Sequence, residues 1–152
     1  MVVGGIIFVV LLGLSLLVPR FWPAWTVAWE FDGTSPAGTG CADGKTAVIV
    51  HEWDVPAAAG AGTVATARQM YSPECQTTWV RVLTADPAMA TLKKIGRPAG
   101  GGLWAVTTEE AFGAPTDLWT YSEQIHAPDC AVVEVSVLAG EDVVGTLVTD
   151  CP

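Results

Sequence analysis

Residues 2–18 form an apolar run interrupted only by glycines and Ser15, with no charged side chain. A bilayer core takes about 20 such residues in a helix, so the run predicts a transmembrane helix at the short end of the range. Arg20, Trp22 and Trp25 follow it, with Phe21 and Trp29 interspersed. Aromatic rings and a snorkelling arginine in this position mark a membrane interface. Beyond residue 40 the apolar positions change period from continuous to alternating. The chain thus divides into a transmembrane helix over 1–22, an aromatic segment and Gly/Ser/Pro-rich linker over 23–40, and a domain over 41–152. The competing reading of the N-terminus is a cleaved signal peptide. It lacks support, because no Lys or Arg precedes the run and Thr26-Val27-Ala28 is a poor cleavage site.

Within 41–152 the pattern predicts a mainly β fold, a small antiparallel sandwich or barrel-like domain. Residues 46–53 and 63–70 are rich in β-branched side chains and flank the small-residue stretch 57–62, which predicts a hairpin. Ser72-Pro73-Glu74 is a turn signal. After it, Thr77, Trp79 and Arg81 alternate with Thr78, Val80 and Val82, the pattern of a half-buried strand. Residues 88–95 place Met89, Leu92 and Ile95 three apart, which fits a short helix or an irregular strand. A loop over 97–102, a short strand over 103–107 and a strand over 117–125 follow. Two β-branched stretches, 131–138 and 143–149, surround Ala139-Gly140-Glu141-Asp142 and predict a terminal hairpin.

The cysteines refine this picture. Cys41, Cys75, Cys130 and Cys151 make an even set without a CxxC pair, which favours two disulfides over a structural zinc site. Three connectivities exist. Pairing Leu138 with Val143 in the terminal hairpin sets Cys130 opposite Cys151, and sets Val133, Val135 and Val137 beside Val148, Thr146 and Val144. The expected bridges are therefore Cys130–Cys151 and, by elimination, Cys41–Cys75. Disulfides imply an oxidising compartment, whereas in a reducing one the same residues would be buried thiols. By the positive-inside rule Arg20 belongs on the cytoplasmic side. The cysteines carry more weight than one arginine, and they place the C-terminal domain outside the cytoplasm.

Charge mostly excludes. With 7 Lys and Arg against 16 Asp and Glu the net charge is −9, which is no footprint for nucleic acid or anionic lipid. Seven tryptophans in a chain with 15% charged residues exclude disorder as the main state.

Thr39-Gly40-Cys41-Ala42, then a strand pair, then Tyr71-Ser72-Pro73-Glu74-Cys75-Gln76-Thr77-Thr78-Trp79-Val80-Arg81-Val82 together resemble the YjfA-like family. These are small exported proteins of actinomycetes and some bacilli. Trp119-Thr120-Tyr121 and Ala127-Pro128-Asp129-Cys130-Ala131 match the family's closing region more loosely. The resemblance covers residues 39–131. It implies an exported β domain with Cys41 and Cys75 bridged, and it implies no activity.

No catalytic constellation stands out. His51 and His126 lack metal-ligand spacing. Glu109-Glu110 and Glu141-Asp142 are adjacent pairs, and neighbouring strand residues point to opposite faces. No Gly-x-Ser-x-Gly or Walker A sequence occurs, and disulfide pairing would consume the thiols. Trp53, Trp79, Trp119 and Arg81 are the candidate partner-binding residues, since Trp and Arg dominate binding hot spots, against the competing reading that the tryptophans fill the core of a small domain. The expectation is a membrane-anchored, extracytoplasmic, non-catalytic binding module. It would use no cofactor and no metal, and would serve a protein partner in a membrane or envelope complex. The alternative is a small secreted protein acting at the cell wall or as an unrecognised hydrolase.

Overall fold

The computed structural model describes residues 30–43, 46–97, 105–110, 119–127 and 130–151, the segment 105–110 through its backbone alone. The apolar run and the interface residues Arg20, Trp22 and Trp25 lie outside the described residues. Among the described residues no helix is long and apolar enough to cross a membrane.

The fold is mainly β, and every strand pairing is antiparallel. Strands β1 (Val48–Pro56), β2 (Thr63–Ser72) and β3 (Thr77–Thr84) form one sheet with the short strands β6 (Thr120–Tyr121) and β7 (Ile125–His126), both of which pair with β3. Strands β4 (Ala90–Gly96), β5 (Ala105–Glu110), β8 (Val132–Ala139) and β9 (Asp142–Val148) form a second sheet in the order β5-β4-β8-β9. The two sheets share one core. Val55, Ala65, Ala67, Val80, Val82 and Ile125 meet Ile95, Val133, Val135 and Val137. The period-two reading of β3 holds, with Val80 and Val82 on the core side.

Both expected disulfides are present, Cys41–Cys75 and Cys130–Cys151, each with Cα atoms 5.9 Å apart. Their sequence separations of 34 and 21 residues correspond to about 4 and 3 kcal/mol on the loop-entropy model.

Four expectations need correction. First, of the short helix and the irregular strand open for 88–95, the chain takes the strand, and β4 begins only at Ala90 and runs to Gly96. Thr91, Lys93 and Ile95 face inward opposite Val137, Val135 and Val133. Lys93, 0% exposed, hides the alternation by being a charged residue on the core side. Its Nζ donates to Thr91 Oγ1 at 2.7 Å and to Thr120 Oγ1 at 3.1 Å, which ties the second sheet to β6 of the first.

Second, the terminal hairpin has a bulge. Leu138 pairs with Val143 as expected, but Val137 pairs with Gly145 and Val135 with Leu147. Gly145 and Leu147 therefore turn inward in place of Thr146 and Val148, Val144 stays half-buried against the core, and Val148 is left 68% exposed. The cause is steric. At Gly145 a Cβ would lie 2.4 Å from Val64 Cγ2 and 2.8 Å from the Pro56 carbonyl. Only glycine lets β9 close on β1, where Ala57 bridges Gly145 and Ala58 N–H donates to Val144 O at 2.8 Å.

Third, the strand expected over 117–125 is split. Register slips by one residue between the Arg81–Tyr121 and Thr78–Ile125 pairs. Ser122 fills the break, its Oγ accepting from Val80 N–H at 3.0 Å.

Fourth, 31–40 is not a free linker but belongs to the same compact unit, Phe31–Pro152. It straps the first sheet. Gln124, 0% exposed, accepts from Thr77 Oγ1 at 2.8 Å and donates to Thr34 Oγ1 at 3.0 Å and Thr39 Oγ1 at 2.7 Å. Gly33 N–H donates to Gln124 O, and Gln124 N–H to Thr34 O. Asp32 takes Arg97 Nη2 and, at 2.6 Å, the His126 N–H. The polar composition that suggested a solvated linker instead supplies hydrogen bonds to a sheet.

Candidate functional site

The turn from β2 to β3 sets the geometry of the outer face of the first sheet. Gln76 takes a left-handed conformation (φ 53°), and Ser72 Oγ accepts from Cys75 N–H at 3.3 Å. Ser72 then opposes Thr77, and the register carries on to Met70 opposite Trp79 and Arg68 opposite Arg81. β1 adds Glu52 beside Arg68, and β6 adds Tyr121 beside Arg81. One row across four strands thus reads Glu52, Arg68, Arg81, Tyr121.

Two guanidiniums facing each other would repel. Glu52 pairs with Arg68. The Cζ atoms of Arg68 and Arg81 also lie 4.4 and 4.5 Å from the centroid of the Trp119 ring. That distance is within cation–π range, about 6 Å. Arg81 has no carboxylate partner among the described residues, which here set two guanidiniums against one carboxylate.

Trp79 shares the face but is covered. It is 1% exposed and helps line a cavity of about 250 Å³ with Ala42, Met70, Arg81 and Tyr121. Ala42 belongs to the strap that the Cys41–Cys75 bridge fastens down. Trp79 thus fills space under the strap, while Arg81 and Trp119 remain half-exposed beside it. Trp53 lies apart, on the core side of β1, opposite Ala67 and stacked on His51 with ring centroids 5.3 Å apart.

The two histidines do not converge. His51 is on β1 and His126 on β7, three strand positions away, or about 14 Å at the usual spacing. His126 Nδ1 lies 2.9 Å from the Gln76 carbonyl. Among the described residues no three His, Cys, Asp or Glu side chains gather as metal ligands. Glu141 and Asp142 sit exposed at the tip of the β8–β9 hairpin.

Sequence reasoning brought Trp79, Arg81 and Trp119 forward but missed Arg68, Met70 and Tyr121. Counting outward from the Ser72–Thr77 turn would have set Arg68 against Arg81. Tyr121 depends on the bulge at Ser122, which has no local signal. No protein-family model, curated protein or solved structure matches the chain.

Proposed function

We propose that this chain is a non-catalytic binding module, held at the outer side of a membrane by residues 1–22 and serving as an accessory subunit of a larger membrane or envelope complex. The resemblance to the exported YjfA-like proteins belongs to the same proposal. Two disulfides favour an oxidising compartment. The observation that carries the reading is the Arg68–Trp119–Arg81 cluster on the outer face of the first sheet. It combines a half-buried indole with two guanidiniums for one carboxylate, the residue types that anchor protein interfaces. The partner surface that fits Arg81 is acidic, and this pair of guanidiniums on an acidic chain fixes its orientation.

Blue-native electrophoresis of the full chain in its own membrane, with crosslinking, tests this. The wild type and a Val143→Thr control, altered at an exposed valine elsewhere, should co-migrate with the same larger species. Trp119→Ala should release the chain. A freely diffusing wild-type monomer, or a Trp119→Ala variant that still co-migrates, would overturn the reading. Mass spectrometry of the mature N-terminus tests the anchor, because residues preceding Trp29 must be retained.

A further inference from the structure

Beside the strap, two buried donors find no acceptor among the described residues. Trp79 Nε1 and Arg81 Nε are both shut off from water and have no hydrogen-bond partner. Among the described residues the Arg81 side chain makes no hydrogen bond or ion pair, and its one contact of note is the Trp119 ring. A buried unpaired donor costs about 1–3 kcal/mol, more when charged, and native structures keep few of them. Both side chains line the same cavity of about 250 Å³. Among the described residues no carboxylate lines it, and its other walls are apolar except for Tyr121.

We propose that this cavity is a carboxylate-binding site. A carboxylate entering it accepts the planar fork of Arg81, the geometry guanidinium groups favour. The Trp79 ring forms part of the cavity wall, so its indole resonance reports on occupancy. Met70 and Ile49 form an apolar wall for the group that carries the acid. The ligand is thus an acid with an apolar neighbour, such as the carboxyl end or an acidic side chain of a polypeptide, or a free small acid of the same chemistry. Trp119 holds the guanidinium in place without neutralising it, and no described carboxylate competes for it. This deepens the binding-module reading and rests on it only for the source of the carboxylate.

The test is a titration of the full chain, disulfides intact and tryptophans labelled with ¹⁵N, followed at the Trp79 indole resonance. That resonance is assigned by its loss in Trp79→Phe. N-acetyl-leucine should shift it saturably, and acetate should do so at least tenfold more weakly. N-acetyl-leucinamide, the same molecule without the charge, should not saturate. Arg81→Gln should weaken N-acetyl-leucine at least tenfold, and Arg81→Lys, which keeps the charge but not the fork, should weaken it several-fold.

Equal responses to acid and amide would make the cavity merely apolar and overturn the proposal. No response to either would make it a water-filled gap and overturn the proposal as well. Tighter binding of inorganic phosphate than of both carboxylates would replace carboxylate by phosphate as the ligand. The wild-type comparison decides even if neither Arg81 variant folds. No partner is present in the titration, so its failure leaves the blue-native result standing, and loss of the partner leaves the titration standing.

Discussion

Gly145→Ala tests the closure of the two sheets at one point. A methyl group at 145 would sit 2.4 Å from Val64 Cγ2, 2.8 Å from Pro56 O and 3.4 Å from Val55 Cγ1. Carbon atoms prefer about 3.5–4.0 Å. Val64 can rotate away at roughly 0.5–1.5 kcal/mol for a strained rotamer. Pro56 O is backbone, so β1 and β9 must part there, which strains the 2.8 Å Ala58–Val144 hydrogen bond at about 1 kcal/mol. Replacing glycine returns about 0.5–1 kcal/mol by restricting the unfolded chain. The net expectation is a loss of about 0.5–2 kcal/mol, reaching into the range of overpacked cores. Urea unfolding with the disulfides intact measures it as a lower midpoint at unchanged slope. A second arm separates the obstacles. In a double-mutant cycle, Val64→Ala should recover only part of the Gly145→Ala loss, because Pro56 O remains. A loss below about 0.5 kcal/mol would refute the steric account of the bulge. Complete recovery by Val64→Ala would show that the backbone closure constrains nothing.

The strap and the β2–β3 turn give two more tests. Gln124→Ala strands the buried Thr77 hydroxyl and frees Thr34 and Thr39. It should cost about 2–3 kcal/mol in urea and open the 31–43 segment to limited proteolysis; an unchanged cleavage pattern would mean that other contacts hold the strap. At Gln76 (φ 53°) Gln76→Gly should be neutral or stabilising by up to about 1 kcal/mol, whereas Gln76→Val should destabilise by at least about 1 kcal/mol. Thermal unfolding that ranks them in the opposite order would remove the left-handed turn from the explanation.

What could be read from the chain was what its local pattern controls. Alternation in 77–82 placed Val80 and Val82 in the core, and the terminal hairpin placed Cys130 near Cys151. The pairing survived even though its register was misjudged by one residue. Thr149 N–H still donates to Val133 O, so the slip leaves Cys151 only one position from the place opposite Cys130, within reach of the bridge. What escaped reading was set by distant contacts. Lys93 looks like a surface residue until Thr120 arrives from 27 positions away to receive its ammonium. Gly145 looks like a weak point in a strand until Pro56 and Val64 close on it.

The same distinction explains the candidate site. Trp79 and Arg81 share a face by period two, and a strand pattern says nothing about what covers that face. The answer lies in residues 31–43, whose glycines, threonines and proline read as a tether. Bonded through Gln124 and Asp32 and fastened by Cys41–Cys75, they bury Trp79 and leave Arg81 and Trp119 beside the covered patch. The disulfide therefore does more than restrict the unfolded chain. It holds Ala42 against the cavity that Trp79 and Arg81 line, where Arg81 has no counter-charge among the described residues. A partner or ligand that needs a carboxylate position meets a site built by the strap as much as by the strand.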